Sequence, residues 1–186
     1  HTADLARPLN ILTLNLSRAG RAHEALAAVQ EAVTFYRSLA QVDPVAYKPD
    51  LAACLHNLAT CLSDVGDRST ALAAIRETAA IRRELAERDP ATHAPALAPC
   101  LHRLTKRLAE AGHRGDALET AREAVALYRS LARRRPEDFS RGLAGALRTY
   151  ASVLEWAGRE ADAARIRQES EAMTEDKALE DSIRGF

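Results

Sequence analysis

Two cysteine–histidine pairs are the residues in this sequence whose types and spacing could carry chemistry. Cys54 precedes His56 and Cys100 precedes His102, so the two pairs lie 46 residues apart. A thiol beside an imidazole could form a nucleophile or share a metal ion. On a helix, however, residues two apart point about 200° away from each other, so the members of each pair diverge. We therefore expect no catalytic residue, no metal site and no cofactor, and we predict that the chain is not an enzyme.

The cysteine count and the charge limit the classes of protein further. There are three cysteines, and the odd number and the spacing match no zinc pattern. The simplest setting for such thiols is a reducing cytoplasm. The formal net charge of +0 argues against a wholesale nucleic-acid binder and against an electrostatic membrane binder. No apolar run approaches the length of a membrane span, so we expect a cytoplasmic protein with no membrane partner.

The elements that must position these residues repeat along the chain. The phrase LSRAGRAHEAL at 16–26 returns three times with its glycine kept, and no gap is needed to align the copies. Self-similarity at a fixed period is the signature of a repeat architecture. The columns with a period of 46 residues are Gly20, Gly66, Gly112 and Gly158; Leu5, Leu51, Leu97 and Leu143; Leu9, Leu55, Leu101 and Leu147; and Leu16, Leu62, Leu108 and Leu154.

Each copy predicts two antiparallel helices joined at the glycine. Leucines of the second copy recur at steps of three or four from Leu51 to Leu62, which indicates the apolar stripe of a helix. Gly66 then ends that helix, because glycine accepts the left-handed conformation that a helix end often needs. An alanine shortly after each turn, such as Ala71, lets the second helix approach closely. Pro99 would damage a helix interior, so we expect its helix to begin near Ala96.

This pattern resembles the tetratricopeptide repeat, in which a large residue, a leucine, a small residue and a large residue precede the turn and an alanine follows it. The period is 46 residues rather than about 34, and leucine stands where that family starts with an aromatic residue. The long-repeat branch typified by kinesin light chains, and repeat arrays of large bacterial signalling proteins, are similar. The matching residues are Leu9, Leu12, Thr13, Leu16, Ala25 and Val29; Leu55, Leu58, Ala59, Leu62, Ala71 and Ile75; Leu101, Leu104, Thr105, Leu108, Ala117 and Ala121; and Leu147, Tyr150, Ala151, Leu154 and Ala163, after which Arg167 replaces the large residue.

The resemblance implies an all-α fold, a right-handed α-solenoid of about four repeats. We expect the solenoid to occupy residues 1–173, with a charged C-terminal tail at 174–186. Because the first copy starts abruptly, we expect further repeats or another domain to precede residue 1 in a larger protein. The arginine-rich and lysine-poor composition indicates a bacterial source. The expected repeats are about 1–45, 46–91, 92–137 and 138–173.

The resemblance also implies a function, because the first helices of such arrays line a concave groove that binds a peptide or protein segment. We therefore expect a protein-interaction, scaffold or sensing module. Its groove would be polar and basic, which suits an acidic segment or a C-terminal carboxylate through charge-assisted hydrogen bonds. Trp156 would be either a contact anchor or part of the C-terminal cap. The expected groove residues are Arg7, Asn10, Leu14, His56, Asn57, Thr60, His102, Arg103, Lys106, Arg148, Thr149 and Ser152, with Trp156 at the end.

Two other functions stay open at this stage. The first is a structural element that self-associates into a homo-oligomer through an apolar end near residues 5–16. The second is nucleic-acid binding through an arginine cluster formed by Arg129, Arg133, Arg134 and Arg135. These arginines lie at a predicted helix end, where cations also suit the helix dipole, so nucleic acid is the less favoured partner.

Overall fold

The computed structural model describes the backbone of residues 2–184 and the side chains of residues 8–173. Throughout this part of the chain the regular elements are helices, and the predicted all-α helical-repeat fold class is confirmed. None of these helices is long and apolar enough to cross a membrane. The helices are α1 (Thr2–Arg18), α2 (Ala22–Val42), α3 (Pro44–Asp64), α4 (Arg68–Arg88), α5 (Pro90–Glu110), α6 (Arg114–Arg134), α7 (Pro136–Trp156) and α8 (Glu160–Arg184).

The chain divides into two compact units, His1–His93 and Ala94–Phe186. In the first unit each helix from α1 to α4 packs on the next, and α1 also contacts α3. In the second unit α6 packs on α7 and α7 packs on α8. The backbone of α8 is helical as far as Arg184, within the stretch 174–186 that the sequence predicts as a tail, and the side chains from 174 onward lie outside the described ones. The predicted repeat boundaries stay predictions.

Each helix pair turns at a glycine whose backbone lies in the left-handed region, as the repeat predicts. At Gly66 the φ angle is 86°, where a side chain would strain the backbone. The amide of Asp67 then donates to the carbonyl of Leu62 at 2.8 Å, which closes the last turn of α3. The Asp67 carboxylate accepts a hydrogen bond from the amide of Thr70 at 3.1 Å, so the same short segment also caps α4.

The alanines that follow the turns are buried, in agreement with the predicted close approach of the paired helices. Their relative exposure does not exceed 1%. The repeated leucines on α3, α5 and α7 are buried as well, with exposures of at most 6%, and each unit has its own apolar core. A larger side chain in place of any of these alanines would separate the two helices. The buried alanines are Ala25, Ala71, Ala117 and Ala163.

The sequence predicts that the first helix of the third pair, α5, starts near Ala96. This prediction is wrong, because α5 begins at Pro90 and carries Pro99 in its interior. A proline removes one intrahelical hydrogen bond and costs about 3 kcal/mol in a helix interior. Leu97 and Ala98 are buried in the same stretch, with exposures of 5% and 0%. Since burial of one leucine contributes about 1.5–3 kcal/mol, packing of this face offsets the cost of the proline and keeps the segment helical.

Gly142 on α7 is a position where packing excludes any side chain. A Cβ atom there would lie 2.9 Å from Cζ of Tyr128 and closer still to its Cε1. Tyr128 is only 5% exposed, so its ring has little room to move. We expect Gly142→Ala to lower the free energy of unfolding by about 1–3 kcal/mol, the usual cost of overpacking.

Chemical denaturation monitored by circular dichroism measures this change. Gly115→Ala is the matched control, because a Cβ atom at Gly115 meets nothing within 4 Å. We expect the control to leave the stability unchanged or to raise it by up to about 1 kcal/mol, since alanine favours a helix over glycine. Equal effects of the two substitutions would contradict the close contact with Tyr128.

Candidate functional site

The predicted groove residues all lie on the first helices of the four pairs. Some of them meet across neighbouring first helices within a unit. Arg7 is on α1, but its side chain lies outside the described residues. The others are Asn10 on α1; His56, Asn57 and Thr60 on α3; His102, Arg103 and Lys106 on α5; and Arg148, Ser152 and Trp156 on α7.

In the first unit the polar side chains form hydrogen bonds with one another and with their own helix. Nδ2 of Asn57 donates to Oδ1 of Asn10 at 2.7 Å and thereby joins α3 to α1. The hydroxyl of Thr60 donates to the carbonyl of His56 at 3.1 Å. The side chain of His56 is half-buried. In the first unit, polar groups that the sequence predicts as contacts for a ligand are therefore hydrogen-bonded within the protein itself.

His102 occupies the corresponding junction of α5 and α7 in the second unit. Its Nε2 lies 2.8 Å from the hydroxyl oxygen of Thr149, a hydrogen bond that spans 47 residues, as the one between Asn10 and Asn57 does. Burial lowers the pKa of His102 below its ordinary value, and the charges of Lys106 and Arg148 lower it further. The imidazole is therefore neutral at pH 7 and surrounded by positive charge.

An open groove of about 480 Å³ runs beside this junction between α5 and α7. Its wall is largely apolar, with Val153 and Trp156 on α7 and Ala109 on α5. Trp156 is 38% exposed, and the guanidinium of Arg114 stacks 4.7 Å from its ring centroid. The full lining is Lys106, Ala109, Glu110, Thr149, Ser152, Val153 and Trp156.

Two cations beside this groove have no carboxylate partner among the described side chains. Lys106 and Arg148 are exposed, and both act on the His102 ring. Glu110, the acidic residue of the lining, is instead paired with Arg107 on its own helix at 2.8 Å. The hydroxyl of Ser152 donates to the carbonyl of Arg148 at 3.1 Å, which leaves the guanidinium available. An anionic group would find two uncompensated positive charges here.

The cysteines do not contribute to this surface. Cys54 and Cys100 are fully buried, and Cys61 is 2% exposed. Burial, with a smaller contribution from Asp50, raises the pKa of Cys54 to about 12, so its thiol stays protonated at pH 7. The Sγ of Cys61 lies 3.7 Å from the hydroxyl of Ser17. No group of three histidine, cysteine or acidic side chains in the described part of the chain could hold a metal ion.

The arginine cluster is only partly available. Arg129 binds Glu169 on α8 through two hydrogen bonds, the first at 2.9 Å. Arg135 lies 3.4 Å from Asp138 and stacks 4.9 Å from the ring centroid of Phe139. Arg133 and Arg134 are exposed in the last turn of α6, where cations suit the helix dipole. Two members of the cluster thus serve the fold.

Sequence reasoning missed the apolar part of the groove and the partner of Trp156. Ala109 and Val153 lie three or four residues after Lys106 and Thr149, so helical spacing could have identified them. Arg114 begins the next helix, and no local pattern connects it with Trp156. That contact depends on how α6 packs against α7, because Arg114 begins one helix and Trp156 ends the other.

The hydrogen bond between His102 and Thr149 should contribute to stability. We expect Thr149→Val, which keeps the shape of the side chain and removes the hydroxyl, to lower the free energy of unfolding by about 1–2 kcal/mol, because the half-buried imidazole loses its partner. Ser152→Ala on the same helix is the control, since that exposed hydroxyl bonds only its own helix. Urea unfolding measures both, and a loss for Ser152→Ala as large as for Thr149→Val would contradict the assigned role.

Comparisons with known proteins agree with this architecture. Residues 51–91 match the sequence model of the tetratricopeptide repeat family. A comparison with curated proteins gives no match. Among solved structures, BtubC (BKLC) from P. vanneervenii is similar, with a TM-score of 0.78 at 14% identity. The aligned part covers 96% of this chain and 66% of the BtubC chain.

Two further crystal structures are similar. Aspartyl phosphate phosphatase F from Bacillus subtilis has a TM-score of 0.70 at 13% identity and covers 96% of this chain and 42% of its own. MamA has a TM-score of 0.65 at 14% identity and covers 94% of this chain and 81% of its own. The chain thus spans less than half of the phosphatase, and identities this low show a shared fold alone. These proteins are tetratricopeptide-repeat solenoids, so the chain has the fold of the tetratricopeptide repeat family and residues 51–91 match its repeat.

Proposed function

We propose that this chain is a protein-interaction module that binds an acidic peptide or protein segment along its first helices. The tetratricopeptide repeat fold is typically a scaffold without enzymatic activity, which supports binding rather than catalysis. The proposed contact residues are those of the predicted groove, with the groove of the second unit as the main site. That the first helices of both units form one groove stays a prediction, as do a bacterial source, a cytoplasmic location and a role within a larger protein.

One observation carries the proposal: two cations without a carboxylate partner, Lys106 and Arg148, stand beside a largely apolar groove that Trp156 lines. An acidic side chain of a ligand would pair with the cations, and a neighbouring apolar side chain would lie against Val153 and Trp156. Charge-assisted hydrogen bonds to a carboxylate are roughly twice as strong as neutral ones. Burial of the apolar side chain would add about 25 cal/mol per Å² of area removed from water.

A defined peptide pair tests this proposal. Fluorescence anisotropy compares a fluorescein-labelled peptide that repeats Glu-Glu-Leu with a Gln-Gln-Leu peptide of the same length. We expect the acidic peptide to bind more tightly, and we expect Lys106→Glu/Arg148→Glu to weaken it by at least about tenfold through charge repulsion. The affinity of the wild-type protein should fall as salt increases, because the paired charges are exposed.

The matched control is Arg133→Glu/Arg134→Glu, which makes the same change of charge on α6. We expect this control to bind the peptide with an affinity within about twofold of wild type. That small change would reflect the altered net charge of the protein. Equal losses for both double variants would assign the affinity to net charge rather than to the groove. Absence of binding of the acidic peptide to the wild type would remove the proposed site.

Nucleic-acid binding through the arginine cluster would instead be lost in the Arg133→Glu/Arg134→Glu variant.

A second candidate function is self-association through α1, and a specific observation favours it. Ile11, Leu12 and Leu14 are 60%, 45% and 45% exposed. At the position of α3 that corresponds to Leu12, Leu58 packs instead against the core of this unit. A second copy of the chain is therefore a suitable occupant of the exposed row on α1, because its apolar surface would be covered in the same manner.

Light scattering after size exclusion tests the second function. If α1 mediates self-association, the wild type should run as a dimer or larger species at high concentration, and Ile11→Glu/Leu14→Glu should run as a monomer. Because both positions are exposed, we expect the variant to stay folded, and circular dichroism checks its helical content. A wild-type monomer at the highest attainable concentration would exclude the self-associating function and leave peptide binding unaffected.

A further inference from the structure

The ring of His102 is held at a defined place between α5 and α7. Its Nε2 is 2.8 Å from the hydroxyl oxygen of Thr149. A Cβ atom added to Gly145 would lie 3.4 Å from Cε1 of the ring, so the imidazole is in close contact with the backbone of α7. The side chain is half-buried, and it adjoins the groove through Thr149, which is part of the groove wall. A charge that appears on this ring is therefore felt inside the groove.

The charged groups that act on the ring are cations from both helices. Lys106 lies one helical turn further along α5, and Arg148 precedes Thr149 on α7. No carboxylate of the described residues acts on the ring to offset them. The ring is consequently neutral at pH 7. The two cations beside it, Lys106 and Arg148, would both favour a bound anion. Three groups that can carry positive charge thus lie close to one another beside the groove.

We propose that binding of an anionic segment at Lys106 and Arg148 is accompanied by uptake of a proton at His102. The inference rests on the proposed function, since it concerns the same groove. A carboxylate seated between the two cations would cancel the repulsion that opposes a charged imidazole, and it would itself attract the imidazolium. The protonated ring would still donate from Nε2 to the Thr149 hydroxyl, so no rearrangement of α5 and α7 is required.

The direction of the pH dependence follows from this linkage. The ring of the complex holds its proton to a higher pH than the ring of the free protein, because the bound anion favours the charged form. Above both values the ring is neutral in both states and contributes nothing to affinity. As the pH falls between them, only the complex takes up the proton, and affinity rises. An affinity that falls on acidification would have the wrong sign.

The test is the binding of the Glu-Glu-Leu peptide to the full chain between pH 7.5 and pH 5.5. Glutamate side chains, with a pKa of about 4.3, stay charged over this range. We expect wild-type affinity to rise by roughly three- to tenfold, where tenfold corresponds to one unit of pKa difference between complex and free protein. His102→Gln keeps an amide that can bond Thr149 but cannot titrate, and its affinity should change by less than about twofold.

Proton NMR of the imidazole C–H signals gives a second, direct readout. The His102 signal is assigned by its loss in His102→Gln, and its titration is followed with and without the peptide. We expect the midpoint to move to higher pH when the acidic peptide is bound and to stay in place with the Gln-Gln-Leu peptide.

The outcomes separate the two proposals. If the acidic peptide binds neither wild type nor His102→Gln at any pH, the proposed function fails and this inference fails with it. If the peptide binds, loses affinity in Lys106→Glu/Arg148→Glu, and shows the same pH dependence in wild type and His102→Gln, the groove stands and the proton linkage is overturned. A midpoint of His102 that does not move in the complex overturns it as well.

Discussion

Close packing of one small side chain after each turn is the constraint on which the rest of the structure depends. The alanine that follows each glycine turn is at most 1% exposed, and it brings the two helices of a pair into contact. The glycine supplies the left-handed backbone that allows the chain to reverse so sharply. Because a helix pair cannot bury its apolar faces alone, it packs on its neighbour within a unit, and this packing brings first helices side by side, as in the contact of α1 with α3.

Alignment of the first helices determines which side chains meet. A side chain on one first helix bonds the side chain 47 residues further along, as Asn10 does with Asn57 and His102 with Thr149. The polar residues at these positions therefore serve two purposes. Their mutual hydrogen bonds join neighbouring helices, and the charges left over, on Lys106 and Arg148, are available to a ligand. The proposed site thus depends on the same register that joins the first helices within a unit.

The proposed mode of recognition also follows from this arrangement. Cations on exposed helix faces give direction and selectivity, and an apolar wall next to them supplies affinity. In the second unit both are present within a few residues on α5 and α7, with Trp156 held in place by Arg114. His102 bonds Thr149 of the groove wall, and in the proposed mode its protonation responds to what occupies the groove. A module of this kind needs no moving part to sense the charge of its partner.

The sequence by itself determined the helix pairs, the turns, the buried alanines and the helical-repeat fold, because these depend on local conformation and on a period that repeats without gaps. It also placed the predicted groove residues on the first helices, where the structure has them, whereas their role as a binding site stays a prediction. Only the tertiary structure decided that α5 begins at Pro90, since packing of Leu97 offsets the cost of a proline. It also decided that Asn57 and Thr149 bond neighbouring helices, and that Arg114 covers Trp156. These contacts join residues far apart in sequence, and their geometry depends on how whole helices pack rather than on any local pattern.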